Sequence, residues 1–141
     1  MRLPALSATV AVVIAAVAQG AAPAAADTLV STVNLEAGAG LHHSSATVTY
    51  ERVDGAVNSV KIISLQILSS ERDCVWLEWN DPQDVSDGWS ALNSEPSCYG
   101  NSMEETPNRI IKAPKGHQLK VRLGGYHDGG VAVVHKDIAK L

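Results

Sequence analysis

Phenylalanine is absent from this chain, and three Trp and three Tyr are its only aromatic residues. A hydrophobic core must therefore be filled by Val, Ile and Leu, helped by a ring or two. Cysteine is almost as scarce. Cys74 and Cys98 are the only two, too few for a thiolate metal cluster and suited to a single disulfide in an exported protein. Basic residues are outnumbered, 11 against 15 acidic. That balance argues against nucleic acid or an anionic membrane surface as the partner, since both demand basic patches. No second long apolar run follows the N-terminal one, and no hydrophobic tail closes the chain, so no span is expected once the leader is removed.

Catalytic and metal signatures are missing as well. The five histidines, His42, His43, His117, His127 and His135, form no HxH or HExxH. Zinc would need a third ligand that the sequence does not offer beside His117 and His135. Gly88-Trp89-Ser90-Ala91-Leu92 fails the GxSxG pattern at its last position and lacks the strand–turn–helix around it. Asp81, Asp84, Asp87 and Glu95 are spaced wrongly for an EF-hand. No glycine-rich phosphate loop runs from a strand into a helix. The reading calls for no catalytic residue, no metal and no cofactor.

What is present begins with a leader. Met1-Arg2, an apolar stretch from Leu6 to Ala18 and the small residues Ala24-Ala25-Ala26 have the layout of a secretory signal peptide over residues 1–26. The exported chain would start at Asp27 and comprise 115 residues as one domain.

That domain reads as short strands separated by turn residues. Ala46–Val53 alternates, with Ala46, Val48 and Tyr50 on one face. Asp54-Gly55 turns the chain. Ser59–Leu68 places Ile63, Leu65 and Ile67 inward. Asp73–Trp79 has two rows, Val75, Leu77 and Trp79 against Cys74, Trp76 and Glu78. Arg109–Ala113 and His117–Leu123 follow, then a glycine-flanked tip, GGYHDGG, and a return over Val131–Lys136. A last hairpin pairing Leu123 with Val131 would bring His117 and His135 to one face. The pattern predicts an all-β fold, a small antiparallel β-sandwich or partly open barrel of about seven strands.

Asn80–Pro107 keeps no period and is rich in Asp, Ser, Asn, Gly and Pro. It reads as one long loop, tied back to the sheet by a Cys74–Cys98 bond. Closing those 25 residues is worth about 3.5 kcal/mol in the chain-entropy account. A preorganised loop binds with less ordering cost. The expectation is a secreted, non-catalytic binding protein that presents this loop to an extracellular protein or carbohydrate surface, with Trp89, Tyr99, Asp84 and Asp87 as the contact residues. Its sharpest version is an inhibitor of a secreted hydrolase. A small secreted hydrolase or toxin, and a structural cell-surface protein, are the alternatives. Oligomeric state cannot be read from these residues.

Overall fold

Alternation of apolar and polar residues decides most strands, and the computed structural model follows it. Residues 29–53, 58–127 and 136–141 are described, with side chains excepted at 127 and 136–140. The leader, the Asp54-Gly55 turn, the tip from Asp128 on, most of the expected Val131–Lys136 strand and His135 lie outside the described residues. Ten strand segments occur, with no α-helix among the described residues: β1 (Val30–Ala37), β2 (Ser44–Arg52), β3 (Ser59–Leu68), β4 (Asp73–Asn80), β5 (Trp89–Ala91), β6 (Ser97–Cys98), β7 (Ser102–Glu105), β8 (Arg109–Lys112), β9 (Lys120–His127) and β10 (Lys136–Lys140).

All pairings are antiparallel. One sheet runs β1-β2-β3, with β7 and β8 sharing the outer edge of β3; the other runs β10-β9-β4, with β5 and β6 sharing the edge of β4. The inner faces meet as a sandwich rather than a closed barrel. Leu35, Val48, Ile62, Leu65 and Ile67 from the first sheet face Leu77, Val121 and Leu123 from the second, all almost without solvent contact. Leu92 and Leu119 join them from the connections. The core is aliphatic, as the missing Phe requires; Tyr50 is its one buried ring, and Trp79 packs against it half-buried.

One inward assignment changes. Thr49 pairs with Ser64 but Tyr50 pairs with Ile62, so Ile63 is the extra residue of a β-bulge. The bulge flips the phase of β3. Val60 and Ile62 are buried before it, Leu65 and Ile67 after it, and Ile63 is only half-buried. The other edge of β3 breaks at the same place. β7 pairs with Leu65–Leu68 and β8 with Ser59–Ile62, while Pro107, which has no N–H to donate, and Asn108, at φ 47°, fill the gap.

The long loop is also corrected. Asn80–Pro107 contributes β5, β6 and β7. β5 pairs with Glu78–Asn80 and β6 with Cys74–Val75, so together they form one interrupted edge strand along β4. In the interruption Leu92 turns into the core, and its N–H reaches the Leu77 carbonyl at 2.7 Å. The Asn93 side chain accepts the Leu77 N–H at 2.7 Å, standing in for a missing backbone rung. An edge that trades a rung for a side chain shows no period of two. The longest stretch of Asn80–Pro107 outside any strand is the loop 81–88.

The final hairpin is longer than expected. Lys136, not Val131, pairs with Leu123, and Gly124–His127, taken as part of the tip, continues β9 opposite Asp73–Trp76. Gly125 is required there. A β-carbon at this position would come within 2.4 Å of the Cys74 carbonyl oxygen and 2.6 Å of a Val75 methyl.

Candidate functional site

Because side chains alternate along a strand, the inward row of β4, Val75–Leu77–Trp79, sends Cys74, Trp76, Glu78 and Asn80 to the solvent face. The register sets Tyr126 opposite Cys74, Gly124 opposite Trp76 and Arg122 opposite Glu78, with Trp89 opposite Asn80 on the other side. The solvent face of the second sheet thus carries Trp76, Trp89 and Tyr126. The Trp76 and Tyr126 rings lie 4.6 Å apart at 57°. Gly124 beside Trp76 offers no side chain to cover it. Among the described residues the Trp76 and Trp89 indole N–H groups and the Tyr126 hydroxyl have no hydrogen-bond partner; neither indole N–H is buried, and Tyr126 is an exposed residue.

Arg122 organises the other half of the face. Its Nε donates to Glu78 Oε2 at 2.6 Å and its Nη2 to Asp87 Oδ2 at 3.3 Å. Its guanidinium lies 4.0 Å from the Trp89 ring centroid. Arg122 and Glu78 are largely covered, with side chains 11% and 13% exposed, whereas Asp87 is open. A guanidinium satisfies all three demands because it is planar: its edge meets carboxylates while its face meets the ring.

The loop 81–88 is built by its own aspartates. Asp84 Oδ1 accepts from the Ser86 N–H at 2.8 Å and the Ser86 hydroxyl at 2.6 Å, and Oδ2 accepts from the Ser90 hydroxyl at 3.3 Å. These bonds, the Ser86 pair first, hold the Asp84 carboxyl below the ordinary aspartate range. Asp81 Oδ1 accepts from the Gln83 N–H at 2.9 Å and Asp87 Oδ1 from the Trp89 N–H at 3.1 Å. The Asp81 N–H closes the turn on the Gly88 carbonyl at 3.0 Å, with Gly88 at φ 77°. Val85 projects from the tip wholly exposed.

Of the contact residues read from the sequence, Asp87 and Trp89 come together through Arg122. Asp84 lies next to them, with its oxygens engaged in shaping the loop. Tyr99 stands apart, exposed and at φ 52°, its N–H bonded to the Asp73 carbonyl at 2.9 Å. Asp73 and Asn80 end the same strand, so Tyr99 and Trp89 are separated by about 20 Å at the usual rise of ~3.3 Å per residue. Cys74 and Cys98 are bonded as expected, but they are directly paired neighbours on β4 and β6. The bond clamps the edge strand at the end away from loop 81–88, and Arg122 braces that loop.

Sequence reasoning missed Tyr126, Arg122 and the placement of Trp76 beside Tyr126 on the outer face. Tyr126 was hidden by the glycines read as a hairpin tip. Arg122 stood in the outward row of HQLKVRL, but its partners come from distant segments.

His42 Nδ1 and Asp73 Oδ1 are 2.9 Å apart at the opposite end of β4 from loop 81–88. His117 is exposed near the start of β9. Among the described residues no group of three or more His, Cys, Asp or Glu could hold a metal ion. No family model, no curated protein and no solved structure matches this chain.

Proposed function

We infer that this chain is a secreted, non-catalytic binding protein whose contact surface is the solvent face of the second sheet together with loop 81–88. The observation that carries this reading is where the rings are. Of six aromatic residues, only Tyr50 and Trp79 serve the core. Trp76, Trp89 and Tyr126 share one outer face, and Tyr99 is exposed at its edge. Folding alone favours putting large rings inside, where each buries the most apolar area. A chain this short of aromatics that spends them on one solvent face is better explained by contact than by stability.

Rigidity supports the same reading. The face belongs to a paired sheet, the edge strand is clamped by Cys74–Cys98, and loop 81–88 is shaped by internal hydrogen bonds and held by Arg122. Little ordering cost would remain at binding. Export fits the leader pattern of residues 1–26 and is compatible with the disulfide. No described helix is long and apolar enough to cross a membrane.

The test compares wild type with Trp89→Ala, Tyr126→Ala and Ile110→Ala. Ile110 is an exposed control on β8 of the other sheet. Adsorption to the envelope of the producing cells, and inhibition of hydrolases in their culture fluid, are the readouts. Loss with either ring variant while the protein stays folded at the assay temperature, and no loss with Ile110→Ala, is the expected result. Equal behaviour of all four proteins would overturn the reading.

A further inference from the structure

We propose that the ligand of this face is a neutral polysaccharide, seated on the Trp76–Tyr126 pair and extending toward Trp89. This rests on the binding reading above and names its ligand class. Three observations select the chemistry. First, the large apolar side chains that β4, β5 and β9 place on this face are rings, Trp76, Trp89 and Tyr126, with no Leu, Ile, Val or Met from those three strands beside them. A ring face carries negative quadrupole density and attracts the weakly positive C–H face of a pyranose as it attracts other positively polarised groups. Second, each ring carries a polar handle, two indole N–H groups and one phenol, without a hydrogen-bond partner among the described residues. A ligand dense in oxygen acceptors beside C–H faces meets both requirements. Third, the described charges of the sheet face and loop 81–88 are mixed, Glu78, Asp81, Asp84 and Asp87 with Lys120 and Arg122, and Glu78, Asp87 and Arg122 are already tied together. A polyanion would meet the loop carboxylates, and attraction of a polycation would be lost at high salt.

The inference is tested by depletion of the purified protein on microcrystalline cellulose and on chitin, and by intrinsic Trp fluorescence with cellohexaose and chitohexaose. Wild type binds at least one of the two chemistries. Trp76→Ala and Tyr126→Ala weaken that binding about tenfold or more, while Ile110→Ala leaves it unchanged. Trp76 is half-buried, so Tyr126→Ala, at a position 44% exposed, keeps the test decisive if Trp76→Ala does not fold. Binding also persists between about 0.1 M and about 1 M salt, over which the screening length falls from roughly 10 Å to 3 Å. No binding to any of the four probes, binding indifferent to both ring variants, or binding lost at high salt overturns the proposal. If these fail while Tyr126→Ala still reduces adsorption to the cell envelope, the glycan class is wrong and the binding face stands. If both fail, both are wrong.

Discussion

Arg122 is the residue on which the second sheet's outer face depends most. It is largely covered and joined to Glu78, which is covered as well. Removing it breaks the ion pairs to Glu78 and Asp87 and the contact with the Trp89 ring at once. Arg122→Ala should destabilise the fold by about 2 kcal/mol, below the range for fully buried pairs because water reaches the site. Urea titration would read this, and Arg122→Lys should recover only part of it, since an ammonium cannot meet the ring and two carboxylates together. Trp89→Ala should cost about 1 kcal/mol through the lost cation contact. A loss of about 3–5 kcal/mol, the cost of deleting a buried core Trp, would mean that the ring caps the core instead. Asp84 gives a pH signature. Its folded-state carboxyl is held below its ordinary value by Ser86, so its contribution to the loop is present above the ordinary aspartate range and is lost as pH falls through the lowered folded value. The amide signal of Ser86 should therefore shift with a midpoint below the ordinary aspartate value. A midpoint at or above that value would contradict the bonded geometry.

Among the elements, the interrupted edge of β5 and β6 is the most sensitive. Asn93 is buried and supplies the acceptor for the Leu77 N–H. Asn93→Ala leaves that backbone donor unpaired in the interior and should cost about 1–3 kcal/mol, visible as faster exchange of the Leu77 amide. Asn93→Asp keeps an acceptor and should cost less at neutral pH. The Cys74–Cys98 bond acts on the same edge. Cys98→Ala should lower stability by about 3.5 kcal/mol on the chain-entropy account, while β-sheet circular dichroism persists. That edge was not legible in the sequence. Its rungs come partly from a side chain, and Leu92 follows the demands of the core rather than a period of two. The bulge at Ile63 was hidden for a related reason: an extra residue in an otherwise alternating strand shows only through its partner.

For the whole molecule, the two sheets share one core, so they should unfold together. A single calorimetric transition with equal calorimetric and van't Hoff enthalpies is the expected behaviour. Gly125→Ala tests how tightly β9 lies on β4. The added methyl meets backbone oxygen and a core Val methyl that cannot both retreat, and the loss should be at least about 2 kcal/mol.

The sequence by itself determined the class and most of the interior. Alternation in ATVTYERV and HQLKVRL, the absence of a helical period and the lack of Phe were enough for an antiparallel sandwich with an aliphatic core, and two cysteines were enough for one bond. These are local or compositional facts, and neighbouring residues express them. Only the tertiary structure decided that the bond joins adjacent strands, that Asn80–Pro107 supplies edge strands, and that Trp76, Tyr126 and Trp89 share a face. The shared face of Trp76 and Tyr126 depends on register between segments 40 residues and more apart, such as Trp76 with Gly124 and Glu78 with Arg122, and the bond and the edge strands depend on pairings along β4 that no period announces. Register is set by the summed burial of both inner faces and by bulges that shift it, and neither is written in any one stretch of chain.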